Sequence, residues 1–211
     1  MNTIQSHRSS SPLTHFLLEQ IRAERHSPQP KMAGEDAPYF RLPLSSGSWP
    51  QLPQPLGQSR EVTLADLLGY KPLVISFYSP RWHRYGHNHI ENLVKAYPKI
   101  RALGGELLVL TPESPEGIAA IAGYYQVPFN VGQDSNNLIA SQFGVYSPYH
   151  PVWERIAGIS DEVALPATYV VAPDGQIVYD FVEADFSDFV PVRELLSAVY
   201  SLKHTTLQKV A

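Results

Sequence analysis

The chain has 211 residues, 44% of them apolar, a formal net charge of −4 and no cysteine. Without a thiol it can form no disulfide, no thiolate metal site and no iron–sulfur cluster. Its pI ≈ 6.0 and the lack of any long run of one charge argue against nucleic acid or an anionic membrane as a partner.

The length suits one domain with extensions, and no apolar run is long enough to span a bilayer. The first residues, MNTIQSHRSSSPLTHF, lack the apolar core of a secretory signal, so a cytoplasmic protein is expected. Residues 1–33 read as an N-terminal extension. It has a polar, serine-rich start, an amphipathic helix over Thr14–Arg25, and a linker marked by Pro28, Pro30 and Gly34. Residues 34–202 read as the folded domain, and 203–211 as a tail that frays.

Within the domain, Ser45–Arg60 is rich in Pro, Gly, Ser and Gln and is expected to be an irregular loop. Thr63 followed by Asp66 is a helix-start pattern, with a hydroxyl and an acid placed to cap each other's backbone N–H. Leu73–Phe77 is a buried strand. After the Ser79-Pro80-Arg81 turn, a helix carries apolar residues at Ile90, Leu93, Val94, Tyr97 and Ile100. Pro98 should kink or interrupt it, for want of an N–H. A second strand covers Glu106–Leu110, and Ser114-Pro115 opens another helix. A short strand at Val127–Val131 and a helix over Asn136–Phe143 follow, then an irregular stretch to Ala164. Thr168–Ala172 and Gln176–Val182 form a hairpin about Pro173-Asp174-Gly175, and Pro191–Leu202 is the closing helix. The order β-α-β-α-(β)-α-β-β-α predicts an α/β domain, with a mixed central sheet and helices on both faces.

The stretch Phe77-Tyr78-x-x-x-Trp82-x-x-Tyr85 resembles the F-Y-x-x-x-W-C-x-Y-C segment of peroxiredoxin-like redoxins. These belong to the alkyl hydroperoxide reductase / thiol-specific antioxidant family. Gly34–Leu42 is similar to the opening of such domains, and Leu165-Pro166-Ala167-Thr168 to the strand that faces their active-site turn. The resemblance implies a thioredoxin-like fold over most of the chain. It also implies a redox site whose two cysteines are replaced by His83 and Gly86, with Trp82, Tyr85 and Pro166 beside them. The family's activating hydroxyl, three residues before the cysteine, is Pro80 here. The proline usually found seven residues before it is Ser76.

Imidazole cannot replace the peroxidatic thiolate, because nitrogen has no sulfenic-acid step. Thiol peroxidase activity is therefore not expected. If only the two side chains differ, His83→Cys with Gly86→Cys should restore the redox pair. The plainer reading of His83 is that it fills a surface turn, and aromatics such as Tyr78, Trp82, Tyr85 and Trp153 more often pack than line a pocket. The sharper reading is a weak Zn²⁺ or Cu²⁺ site. His83 and His87 would share a helix face near the apolar stripe, with His89 pointing elsewhere and His150 or Glu91 adding a ligand. Arg84 and the helix N-terminus would oppose the cation. No other cofactor is implied. The leading expectation is a binding or regulatory module that meets a protein or small ligand through the former active-site face, with a homodimer possible. The alternative is thiol-independent antioxidant or oxidoreductase chemistry at the His83/His87 cluster.

Overall fold

The computed structural model describes residues 29–52, 59–152, 159 and 163–208. The helix expected over Thr14–Arg25, and Trp153, lie outside these residues.

The central sheet has six strands. They are β2 (Gly47–Ser48), β4 (Leu73–Phe77), β5 (Glu106–Thr111), β6 (Asn130–Gln133), β7 (Ala167–Val171) and β8 (Ile177–Val182), in the order β2-β6-β5-β4-β7-β8. Strand β4 lies parallel to β5 and antiparallel to β7, so the sheet is mixed as expected. Every residue of β4, β5 and β7 is buried. Continuous rather than alternating burial means that helices cover both faces. These are α1 (Leu64–Leu68), α2 (Arg84–Ala102), α3 (Pro115–Tyr125), α4 (Leu138–Gln142) and α5 (Val192–Gln208). Helix α2 packs against α3, α5 and β5. Two short strands, β1 (Arg41–Pro43) and β3 (Glu61–Thr63), form a separate antiparallel pair.

Local chemistry sets the element ends as the residues suggest. Thr63 and Asp66 form a reciprocal capping box at α1. Ser114 accepts from Gly117 N at the start of α3, and Pro115 occupies the first helical position, where no N–H is needed. The hairpin turns at Gly175, whose φ of 94° only glycine adopts without strain.

Several boundaries differ from expectation. The loop Ser45–Arg60 contains β2, which pairs with β6 through Gly47↔Gly132 and Ser48↔Val131. Two residues are too few to show a period. The third parallel strand begins at Asn130 rather than Val127. The helix expected from Asn136 begins only at Leu138, because Asn136 and Asn137 both take left-handed conformations, which asparagine tolerates. Helix α2 runs through Pro98 without interruption. The proline is exposed, so the carbonyl that loses its partner faces water. Helix α5 continues past Leu202 to Gln208, into the expected tail.

Buried Asp134 organises the break before α4. Its two carboxylate oxygens accept from Ile139 N at 2.7 Å and Ala140 N at 2.8 Å. Asp134→Ala would leave two buried donors without acceptors, so it should lower unfolding free energy by about 1–3 kcal/mol in urea melts, with Asp134→Asn recovering part of the loss.

Candidate functional site

Strand β4 delivers the chain to the turn with Phe77 and Tyr78 buried. A single 3-10 turn, Pro80–Trp82, follows, and its N-cap Ser79 accepts from Arg81 N. His83 then sits between the 3-10 turn and α2 at φ 52°, ψ −125°. A non-glycine residue there carries strain of about 1–3 kcal/mol. Its N–H donates to Pro80 O at 3.1 Å, and its carbonyl accepts from His87 N at 3.1 Å.

This break shifts the phase of the helix. The stripe that α2 buries is Tyr85, Gly86, His89, Ile90, Leu93, Ala96, Tyr97 and Ile100. His83 and His87 are exposed, and His89 is the buried histidine. The expectation had these roles reversed. It continued the helix unbroken back to His83, whereas stepping back one turn from Ile90 and Leu93 points to Gly86 and His89.

Gly86 faces the turn so closely that a Cβ there would lie 2.5 Å from the carbonyl oxygen of Ser79. Real Cβ atoms do not approach backbone oxygen so closely. The expectation that two cysteines could be placed here by substitution is therefore corrected: position 86 has no room for a side chain.

Trp82 is core, 1% exposed, with Nε1 donating to Ala164 O at 3.1 Å. That bond ties the turn to the segment leading into buried Pro166 and β7. Edge-on contacts surround the indole: Tyr78 at 6.0 Å, Tyr85 at 5.9 Å, His89 at 5.8 Å and Phe186 at 5.8 Å between ring centres. Tyr85 stacks on Phe189 at 4.6 Å and donates its hydroxyl to Asp188 O at 2.7 Å. Burial pushes the Tyr85 phenol above its ordinary range. Glu183 holds the covering loop by accepting from Asp185 N and Asp188 N. Phe186 was legible only as the end of Phe181-Val182-Glu183-Ala184-Asp185-Phe186, a stretch similar to F-V-x-A-D-Y of the redoxins, and Phe189 carried no signal, since the loop after β8 has no period.

Behind the aromatic cluster lies a buried polar pair. Ser76 Oγ is 2.9 Å from His89 Nε2 and 2.8 Å from Thr168 Oγ1, so it joins β4 to both α2 and β7. Nδ1 of His89 has no partner. An orphaned lone pair costs less than an orphaned N–H, which assigns the proton to Nε2. A second proton would place an unpaired N–H in the core. Burial accordingly lowers the His89 pKa to about 4.

On the outer face, His87 Nδ1 is 2.9 Å from Tyr125 Oη, and Nε2 is 3.3 Å from Glu91 Oε1. Glu91 also pairs with Lys95 at 3.1 Å. Arg81 Nε lies 3.4 Å from Glu113 Oε1. His150 is half-buried in the stretch after α4, its N–H donating to Ser147 O at 3.2 Å. Among the described residues, no three histidine or acidic side chains are grouped to hold a metal ion, so the structure does not bring His83, His87 and His150 together. Tyr125 was missed in the sequence because it meets His87 from another helix.

A six-stranded mixed sheet of this order, entered by a strand–turn–helix unit at the site, is a thioredoxin-like fold of the peroxiredoxin type. The AhpC/TSA family pattern matches residues 33–180, and the chain belongs to that family. Solved structures agree on the fold. The peroxidoxin BcpB of Mycobacterium tuberculosis superposes with a TM-score of 0.61 at 14% identity, covering 81% of this chain and 97% of that one. A reduced 2-Cys peroxiredoxin of Plasmodium vivax gives 0.62 at 20% identity, covering 84% of each. The mitochondrial 2-Cys peroxiredoxin of Plasmodium falciparum gives 0.63 at 17%, covering 83% and 96%. No curated protein sequence matches the chain.

Two predictions follow from this geometry. Gly86→Ala should destabilise the protein by about 1–3 kcal/mol, because helix and turn must move apart. Wild-type-like thermal stability in that variant would contradict the close approach. The second concerns pH. His89 binds a proton more weakly folded, at about 4, than in its ordinary state at 6.5. Its contribution is thus intact above pH 6.5 and lost as pH falls toward 4, in total on the order of 3 kcal/mol. Asp134, raised by burial to about 6, has the opposite sign: its contribution is present at low pH and lost as pH rises through 6. Comparing wild type with His89→Phe at each pH cancels the Asp134 effect. The variant should lose one proton's worth of slope between pH 6.5 and 4.

Proposed function

We propose that this chain is a member of its family without thiol peroxidase activity, a thioredoxin-fold module that binds a partner through the former active-site face. The observation that carries the reading is the closed turn. There is no cysteine in the chain, and Gly86 leaves no space for a side chain against Ser79 O. What the face presents outward is Arg81, His83, Arg84 and His87, all exposed, beside Pro80. The N-terminus of α2, a helix of 19 residues, adds its partial positive charge. Such a face suits a carboxylate-bearing protein or small ligand. The helices described include none long and apolar enough to cross a membrane.

The purified protein should consume hydrogen peroxide no faster than a heat-denatured control, with thioredoxin or dithiothreitol as reductant. Saturable, reductant-dependent turnover would reject the proposal. On the binding side, proteins retained by the immobilised wild type should be lost from an Arg81→Glu, Arg84→Glu variant of unchanged circular dichroism. Identical retention by both would place the binding face elsewhere.

A further inference from the structure

We propose that Tyr125 and His87 form a proton-coupled electron-donor site that reduces organic peroxyl radicals. The inference is independent of the binding role above. Among side chains, cysteine, methionine, tryptophan and tyrosine lose an electron most readily. This chain has no cysteine and only 2 methionines, against 12 tyrosines and 3 tryptophans. Tyrosine oxidation is slow unless the phenolic proton leaves with the electron, so a tyrosine bonded to a base is the one set apart.

Two described tyrosines are bonded to a base: Tyr97, to Glu106 in the core, and, beside a surface cleft, Tyr125. The Tyr125 hydroxyl lies 2.9 Å from Nδ1 of His87. The opposite nitrogen, Nε2, lies 3.3 Å from the Glu91 carboxylate, whose negative charge favours the proton on Nε2 and leaves the Nδ1 lone pair facing Tyr125. A hydrogen bond from Lys95 holds the Glu91 carboxyl below the usual range, so it is ionised at neutral pH and stabilises an imidazolium. The Tyr78 phenol is a near neighbour of the Tyr125 hydroxyl on the buried side. Aromatic contacts then continue inward to Trp82 at 6.0 Å and outward to Tyr124 at 4.8 Å, giving an electron hole several neighbours to share it. A surface cleft of about 490 Å³, bounded by His87, Val94, Lys95, Tyr124 and Tyr125, is large enough to bring a small organic radical against the pair.

The step balances as follows. The peroxyl radical takes one electron from Tyr125 and one proton from solvent, giving a hydroperoxide. The O–H bond of Tyr125 breaks as its proton bonds to Nδ1 of His87, leaving a neutral phenoxyl radical beside an imidazolium. A one-electron reductant of the ascorbate class returns the electron, and His87 returns the proton.

Peroxyl radicals from a water-soluble azo initiator provide the test, with competition against an oxidisable dye and freeze-quenched electron paramagnetic resonance as readouts. The wild type should protect the dye and show a phenoxyl signal. Tyr125→Phe should lose both. His87→Ala, a change at an exposed position, should slow dye protection several-fold and change the solvent deuterium isotope effect. Tyr124→Phe serves as the control for unspecific surface oxidation and should leave the rate nearly unchanged. Protection that survives in Tyr125→Phe, that is removed by Tyr124→Phe instead, or that is indifferent to His87 would overturn the proposal.

Discussion

The site depends on one close approach, that of Gly86 to the carbonyl of Ser79. With no side chain at position 86, the first turn of α2 lies directly on the turn that precedes it. The chain must reverse direction within one residue to get there, and His83 takes up that reversal in a left-handed conformation. Trp82 is thereby pushed inward, where its N–H reaches Ala164 O, and His83 and Arg84 are pushed outward. Burial of the tryptophan and exposure of the histidine are consequences of the same geometry.

The second constraint is polar. Strand β4 is buried throughout and would be uniformly apolar but for Ser76. Its hydroxyl, His89 and Thr168 come from three elements and satisfy one another in a region where an unpaired group would be costly. A bond of this kind fixes register. Sliding α2 along the sheet by one residue would leave His89 without its one side-chain partner, whereas aliphatic contacts alone would tolerate the slip. Only Nδ1 of His89 remains outside the arrangement, and that asymmetry makes the residue sensitive to acid.

Much of the fold was legible because its strands and long helices are strongly patterned. The apolar runs Leu73–Phe77 and Glu106–Leu110, the Thr63/Asp66 and Ser114-Pro115 caps and the Pro173-Asp174-Gly175 turn all lie where local chemistry puts them. Two-residue β2 was not legible, since its pairing with β6 comes from a distant segment. At the site, local pattern identified the turn but mistook its phase. Nothing in Trp82-His83-Arg84 announces a break in the helix, and the break decides which histidine is buried. The partners of His87 and His89, namely Tyr125, Ser76 and Thr168, lie on other elements, so spacing along the chain could not reveal them.

The two margins of the sheet are finished in different ways. At one end, β2 offers only Gly47 and Ser48, with the Trp49 ring lying over both Gly47 and Gly132. At the other, residues 33–37 run along β8 and its turn: Ala33 N donates to Asp180, Gly34 N to Ile177 O, Ile177 N to Glu35 O and Ala37 N to Gly175 O. A strand from a neighbouring molecule would find a stub too short to template against on one side and, on the other, the Ile177 end of β8 already engaged. Self-association by extension of the central sheet is thus hindered at the β2 margin and at the start of β8.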